Sequence, residues 1–140
     1  MQNLLEKVSE NELFKFLGIS VETATKERVV LKMEVTPRVH QYMGIMNGGV
    51  SMYLSETAAS IGAVLNVDLE KSAPVGIEIN GNHLRAVAKG VITIEAVPTY
   101  IGRTMQVWAI NITNDRGKLV CTSRCYVMVR KGGAFVQAEQ

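Results

Sequence analysis

The sequence predicts an α+β domain in which a curved antiparallel sheet of five or six strands wraps one long central helix, with one or two helices at the N-terminus. Three observations carry this. The stretch Gly48–Leu65 is apolar nearly all round at helical spacing, so it needs cover on every side. Two strand-like runs precede it and four follow. Short connections join the later runs, which a single sheet curving over the helix accommodates.

Residues 2–17 place Leu4, Leu5, Val8, Leu13, Phe14 and Leu17 at roughly helical intervals, and Ser9 followed by Glu12 has the form of a capping box. One broken helix or two short ones are expected, stopped by Gly18. Residues 19–24 and 27–35 read as a hairpin separated by Thr25 and Lys26; Val29, Leu31, Met33 and Val35 alternate along the second strand. Thr36 and Pro37 end that strand and open the loop that leads to the central helix. Residues 68–73 form a polar connection, and strand patterns follow at 75–80, 90–97, 104–112 and 119–129. Asn114-Asp115-Arg116-Gly117 is a hairpin turn between the last two. The tail 131–140 is expected to be loose. No repeat or linker divides the chain, so 1–140 reads as a single domain.

Composition excludes several classes. A formal charge of +2 with mixed signs leaves no basic stripe for nucleic acid. The longest apolar stretch carries Ser51, Ser55, Glu56, Thr57 and Ser60, which disfavours a lipid-facing span, and the acidic N-terminus lacks the apolar core of a signal peptide. A soluble cytoplasmic protein with no membrane partner is the expectation. Cys121 and Cys125 lie four apart in one strand, roughly 13 Å from each other and too far for a bridge. They read as reduced packing residues, and no metal-ligand cluster accompanies them.

The chemical clue is isolation. Between Arg38 and Asp68 the only formally charged side chain is Glu56, in the middle of the apolar helix. A buried carboxylate is costly unless it finds partners, shifts its pKa upward or faces a cavity holding water or substrate. A structural role, bonded to backbone or to another subunit, stands beside the functional one. Ser60 sits one turn further on the same face. At the helix start Asn47 can act as the cap, and Gly48 and Gly49 leave the first N–H groups open to an anionic or polarised oxygen. No Ser sits in a nucleophile-elbow context for a Ser-His-acid triad, and Gly48-Gly49 lacks the lysine and the spacing of a phosphate-binding loop.

With these features in register, the chain resembles the hotdog-fold thioesterases of the phenylacetate and enterobactin-proofreading types over residues 35–129. The anchors are His40-Gln41, Gly44, Asn47-Gly48-Gly49, Glu56 within LSETAAS, Val75-Gly76-Ile77-Glu78-Ile79-Asn80, His83 and Gly102-Arg103. The resemblance implies hydrolysis of an acyl-CoA or related pantetheine thioester at a site shared across a homodimer or homotetramer, with no cofactor beyond the substrate. Glu56 matches the catalytic carboxylate, as nucleophile or as the base that activates water. Gly48 matches the oxyanion donor, Gln41 a contact to the thioester, and Ser60 a hydroxyl that holds the acid or the water. Gly49, His83 and Arg103 match substrate-binding positions, Arg103 toward the CoA phosphates. Asn47 departs from the family pattern, which has His there. An amide can donate and can cap the helix, but it carries no proton near neutral pH. The departure keeps two alternatives open: a non-hydrolytic acyl-CoA-binding protein, or a hydratase of enoyl thioesters.

Overall fold

The computed structural model describes residues 2–133. Two short helices, α1 (Gln2–Glu10) and α2 (Glu12–Phe16), open the chain. They are broken by Asn11, whose Oδ1 accepts from the Phe14 N–H at 3.1 Å and caps α2. The cap expected of Ser9 therefore falls to Asn11. Ser9 lies inside α1, where its own backbone is already helical.

The hairpin β1 (Ile19–Ala24) and β2 (Val29–Val35) follows. Its turn takes up Glu27 and Arg28, expected in the strand, because the Thr25 Oγ1 and N–H bond back to Arg28. A single 3₁₀ turn, Pro37–Val39, and a loop lead to α3 (Gly48–Leu65). Four strands complete the sheet: β3 (Ser72–His83), β4 (Gly90–Ile101), β5 (Met105–Thr113) and β6 (Leu119–Lys131).

All six strands form one antiparallel sheet in the order β1-β2-β4-β5-β6-β3. α3 lies across its concave face and packs against β2 through β6. The predicted wrapped-helix α+β architecture, the hotdog fold, is what the chain adopts. β3 is longer at both ends than the 75–80 pattern, since Ser72 pairs with Lys131 and His83 with Cys121. Most of its residues from Gly76 on are exposed, so burial periodicity understates it. Lys131, expected to open a loose tail, ends β6, and the Gly132 N–H bonds the Lys71 carbonyl. Residues 134–140 of that expected tail lie outside the described residues.

The core is the inner sheet face plus one side of α3: Leu31, Met33, Ile92, Ile94, Ile110, Ile112, Leu54 and Ala58 are buried. Trp108 fixes how close the helix comes. Its ring lies against Gly62, where an added Cβ would sit 2.3 Å from the ring edge, so only glycine permits this approach. The indole N–H donates to Gln106 Oε1 at 2.9 Å, satisfying both groups in the dry interior. Both cysteines are free and buried. Among the described residues no helix is long and apolar enough to cross a membrane.

Candidate active site

The loop before α3 is pinned along its length. His40 and Met46 form an isolated bridge, the Gln41 N–H bonds the Ile45 carbonyl at 2.8 Å, and Gly44 takes the turn at φ +81°. The Gln41 side chain accepts from the Met43 N–H. His40 Nε2 lies 2.8 Å from the Ala88 carbonyl, a geometry that uses the ring to anchor the loop. Met46 and Asn47 donate their N–H groups to Val87 and Val39. The start of α3 is thereby held in place from both sides.

Asn47 caps α3 as expected: its Oδ1 accepts from the Gly49 N–H at 2.7 Å, and its carbonyl from the Val50 N–H at 3.1 Å. The Gly49 N–H is thus occupied. The Gly48 N–H has no acceptor among the described residues, which leaves one donor at the positive end of an 18-residue helix. His83, at the end of β3, lies against Gly48; a Cβ there would be 2.9 Å from Nε2. Gly48, Gln41 and His83 share a cavity of about 410 Å³ with Met46, Ser51 and Arg85.

Glu56 opens into a different cavity, of about 400 Å³, between α3 and the N-terminal helices. Ser60 lines the same cavity, as their four-residue spacing predicts. The Glu56 carboxylate makes no hydrogen bond or ion pair among the described residues. The cavity is one of the options that the sequence left open. The carboxyl group rests on the backbone of β3 at Gly76, where a Cβ would meet its carbon and Oε1 at 3.3 Å. Its charge also reaches the interior: the Cys125 thiol is pushed up to about 11, first by burial and then by Glu56.

The oxyanion candidate and the acid are eight residues apart on one helix, about 12 Å along its axis, and they open into separate cavities. One chain does not bring them to a common atom. Running beside both is β3, with His83 against Gly48 and Gly76 against Glu56, and no other described strand pairs with its outer edge. Arg103 is exposed in the turn between β4 and β5 and lines neither cavity. Sequence reasoning passed over Ser51, Arg85, Lys7 and Asn11, all of which line one or the other. Ser51 was legible as a hydroxyl in the first turn of the apolar helix; the others depend on how distant segments fold over α3. Among the described residues no three His, Cys, Asp or Glu side chains converge to hold a metal ion.

Comparison with known proteins agrees with this geometry. Residues 43–121, more than half of the chain, match the thioesterase superfamily. A 1,4-dihydroxy-2-naphthoyl-CoA hydrolase from Listeria monocytogenes is 43% identical over 115 residues, covering 82% of this chain and 93% of the relative. A mutant thioesterase from Pseudomonas aeruginosa superposes with a TM-score of 0.87 at 34% identity, covering 92% and 93% of the two chains. A thioesterase from Haemophilus influenzae gives 0.85 at 36% identity, covering 93% and 90%. With its fold, its glycine-capped central helix and its lone helical carboxylate all in register, the chain belongs to the thioesterase superfamily and is a thioester hydrolase.

Proposed function

We propose that the protein hydrolyses an aryl acyl-CoA to the free acid and CoA, at two equivalent sites of a homodimer. Each site joins Glu56 of one chain to the Gly48 N–H of the other. A single observation carries the reading: a carboxylate and a helix-terminal N–H, both without a partner among the described residues, lie in separate cavities beside one strand edge that no described strand pairs. Antiparallel pairing of β3 with a second β3 about residues 79–80 puts Gly76 of one chain opposite His83 of the other. That register carries Glu56 toward the partner's Gly48 and buries the open edge. The acyl-CoA class follows the Listeria relative's name.

In this site the thioester carbonyl oxygen takes a hydrogen bond from the Gly48 N–H, backed by the α3 dipole, and gains charge as the carbon becomes tetrahedral. Glu56 acts as the base: it accepts a proton from a water held with Ser60, and the oxygen of that water bonds to the carbonyl carbon. The C–S bond then breaks, the electron pair leaves on sulfur, and the Glu56 proton passes to the thiolate. Direct attack by Glu56, through an anhydride that water opens, balances equally and uses the same geometry. The Asn47 Oδ1 is fixed by the cap, so its NH₂ faces away from the Gly49 N–H and can donate to the substrate. Gln41 and His83, in the Gly48 cavity, bind the thioester and pantetheine arm, and Arg103 meets CoA phosphate from the surface.

Thiol release from a panel of acyl-CoAs tests the chemistry: Glu56→Gln and Glu56→Ala should each lose at least about a hundredfold in kcat. Equal turnover would remove Glu56 from the mechanism. Mixing tests the shared site. Gly48→Ala keeps the N–H but puts a Cβ 2.9 Å from His83 Nε2, so it and Glu56→Ala should each lose activity and regain it when the two chains are refolded together, because one site of the mixed dimer is then intact. No recovery would overturn the shared site.

A further inference from the structure

The Gly48 cavity holds a hydroxyl that the hydrolytic steps leave idle. Four polar side chains line it: Gln41, Ser51, His83 and Arg85. His83 and Arg85 are exposed and Gln41 is half-buried, whereas Ser51 is 2% exposed. The Ser51 hydroxyl has no hydrogen-bond partner among the described residues. A serine inside a helix can satisfy its hydroxyl on the carbonyl four residues back. For Ser51 that carbonyl belongs to Asn47; it accepts from the Val50 N–H at 3.1 Å, and the hydroxyl does not use it. A buried hydroxyl left in this way costs stability unless a group in the cavity takes its proton.

Its position on α3 identifies the acceptor. Ser51 stands three residues after Gly48, the spacing of neighbours on one helix face. Helical side chains lean toward the N-terminus, so the Ser51 hydroxyl lies over the first turn, where the Gly48 N–H opens into the same cavity. A carbonyl oxygen seated on that N–H has a second lone pair and gains charge as the thioester carbon becomes tetrahedral. We propose that Ser51 is the second oxyanion donor, its O–H donating to the same oxygen as the Gly48 N–H. This rests on Gly48 as the first donor. Because Ser51 is buried, water competes little for its proton, and the bond strengthens as charge develops. Ser55 provides an internal comparison one turn further along α3. It is fully buried and its Oγ also lacks a partner among the described residues, yet it lines neither cavity. Access to substrate is what separates the two hydroxyls.

Two measurements test this. In thiol release, Ser51→Ala should lower kcat at least about tenfold with KM within about twofold, because the bond is strongest in the transition state. Alanine leaves no unpaired hydroxyl and favours the helix, so Tm should hold or rise. Ser55→Ala should keep kcat within about twofold of the parent. The second measurement is the infrared carbonyl stretch of a bound acyl-CoA analogue in which CH₂ replaces the thioester sulfur, with the carbonyl isotopically labelled. Both donors polarise that carbonyl, so its stretch should move to lower frequency on binding to the parent, and Ser51→Ala should remove part of the shift. A Ser51→Ala kcat within about twofold of the parent, an equal loss in Ser55→Ala, or a full shift kept in Ser51→Ala would overturn the assignment. Failure of the Gly48 reading is distinct: the parent itself would then show no shift, and the role of Ser51 would fall with it. Failure of the Glu56 reading appears as turnover surviving in Glu56→Gln and leaves the shift untouched.

Discussion

Replacing Gly76 by alanine should slow the enzyme without unfolding it. The new methyl group would lie 3.3 Å from both the Glu56 carboxyl carbon and Oε1, and 3.6 Å from Cγ, so something must give by a few tenths of an ångström. The backbone supplies no reason to resist: Gly76 has no positive φ, and alanine is tolerated in a strand. Glu56, held by no hydrogen bond among the described residues, yields first. If a full ångström of misplacement costs on the order of a hundredfold, a few tenths cost roughly threefold to tenfold in kcat, or about 1 kcal/mol of barrier. Thiol release at saturating and limiting acyl-CoA should show that fall in kcat with KM within about twofold, and Tm should stay within a few degrees. Gly81 provides the contrast in the same strand. A Cβ there would meet Ser123 Cβ at 2.7 Å and the Thr122 carbonyl at 2.8 Å, atoms of the paired strand that cannot swing away. Gly81→Ala should therefore lose stability, by about 1–3 kcal/mol. If Gly76→Ala keeps full kcat, or if it loses stability as Gly81→Ala does, the placement of Glu56 against β3 is not what positions the reacting carboxylate.

Gly62→Ala drives a methyl group into the fully buried Trp108 ring, which its bond to Gln106 holds in place; denaturant unfolding should show a loss of about 1–3 kcal/mol despite the better helix propensity of alanine. Asn47→Ala removes the α3 cap and should cost about 1 kcal/mol, whereas Asn47→Asp should retain it; Asn47→His, scored by kcat/KM, should raise turnover if a proton-carrying group at this position matters. An unchanged value on every substrate would show that the amide suffices. The Cys125 thiol, raised from 9.0 to about 11, stays protonated in the folded chain after it would ionise in the unfolded one. The folded state then binds more protons across that window, so stability should fall as pH rises from about 9 to about 11. Cys125→Ala or Cys125→Ser, followed by thermal melts over the same range, should show a flatter profile.

Much of this site was legible before the fold was known, because its signals are local. A single charge in a rod of alanines, valines and leucines singles out Glu56 whatever surrounds it. An Asn followed by two glycines marks a capped helix start, and the cap is there. Ser60 shares the Glu56 cavity because four residues make one helical turn. Local signals fail where two segments compete for the same role. Ser9 with Glu12 matched a capping box, yet α1 runs on to Glu10 and Asn11 takes the cap. The polar residues that flank the 75–80 pattern concealed the length of β3, since pairing with β6 extends a strand regardless of its side chains. Arg103, placed by register alone, lies in an exposed turn beside neither cavity.

Period, capping and the penalty for an isolated charge act within a few residues, so the chain by itself determined most of its elements, its helix-wrapping sheet and the candidates for the acid and the oxyanion donor. Which cavity each opens into was decided only in three dimensions. That Glu56 rests on Gly76 and Gly48 on His83, about 12 Å apart along one helix, follows from the packing of α3 against the edge strand, a contact between residues 20 to 35 positions apart. The cover of Lys7 and Asn11 over the acid is likewise tertiary, since no local rule specifies where the two N-terminal helices dock on a helix that begins some forty residues later.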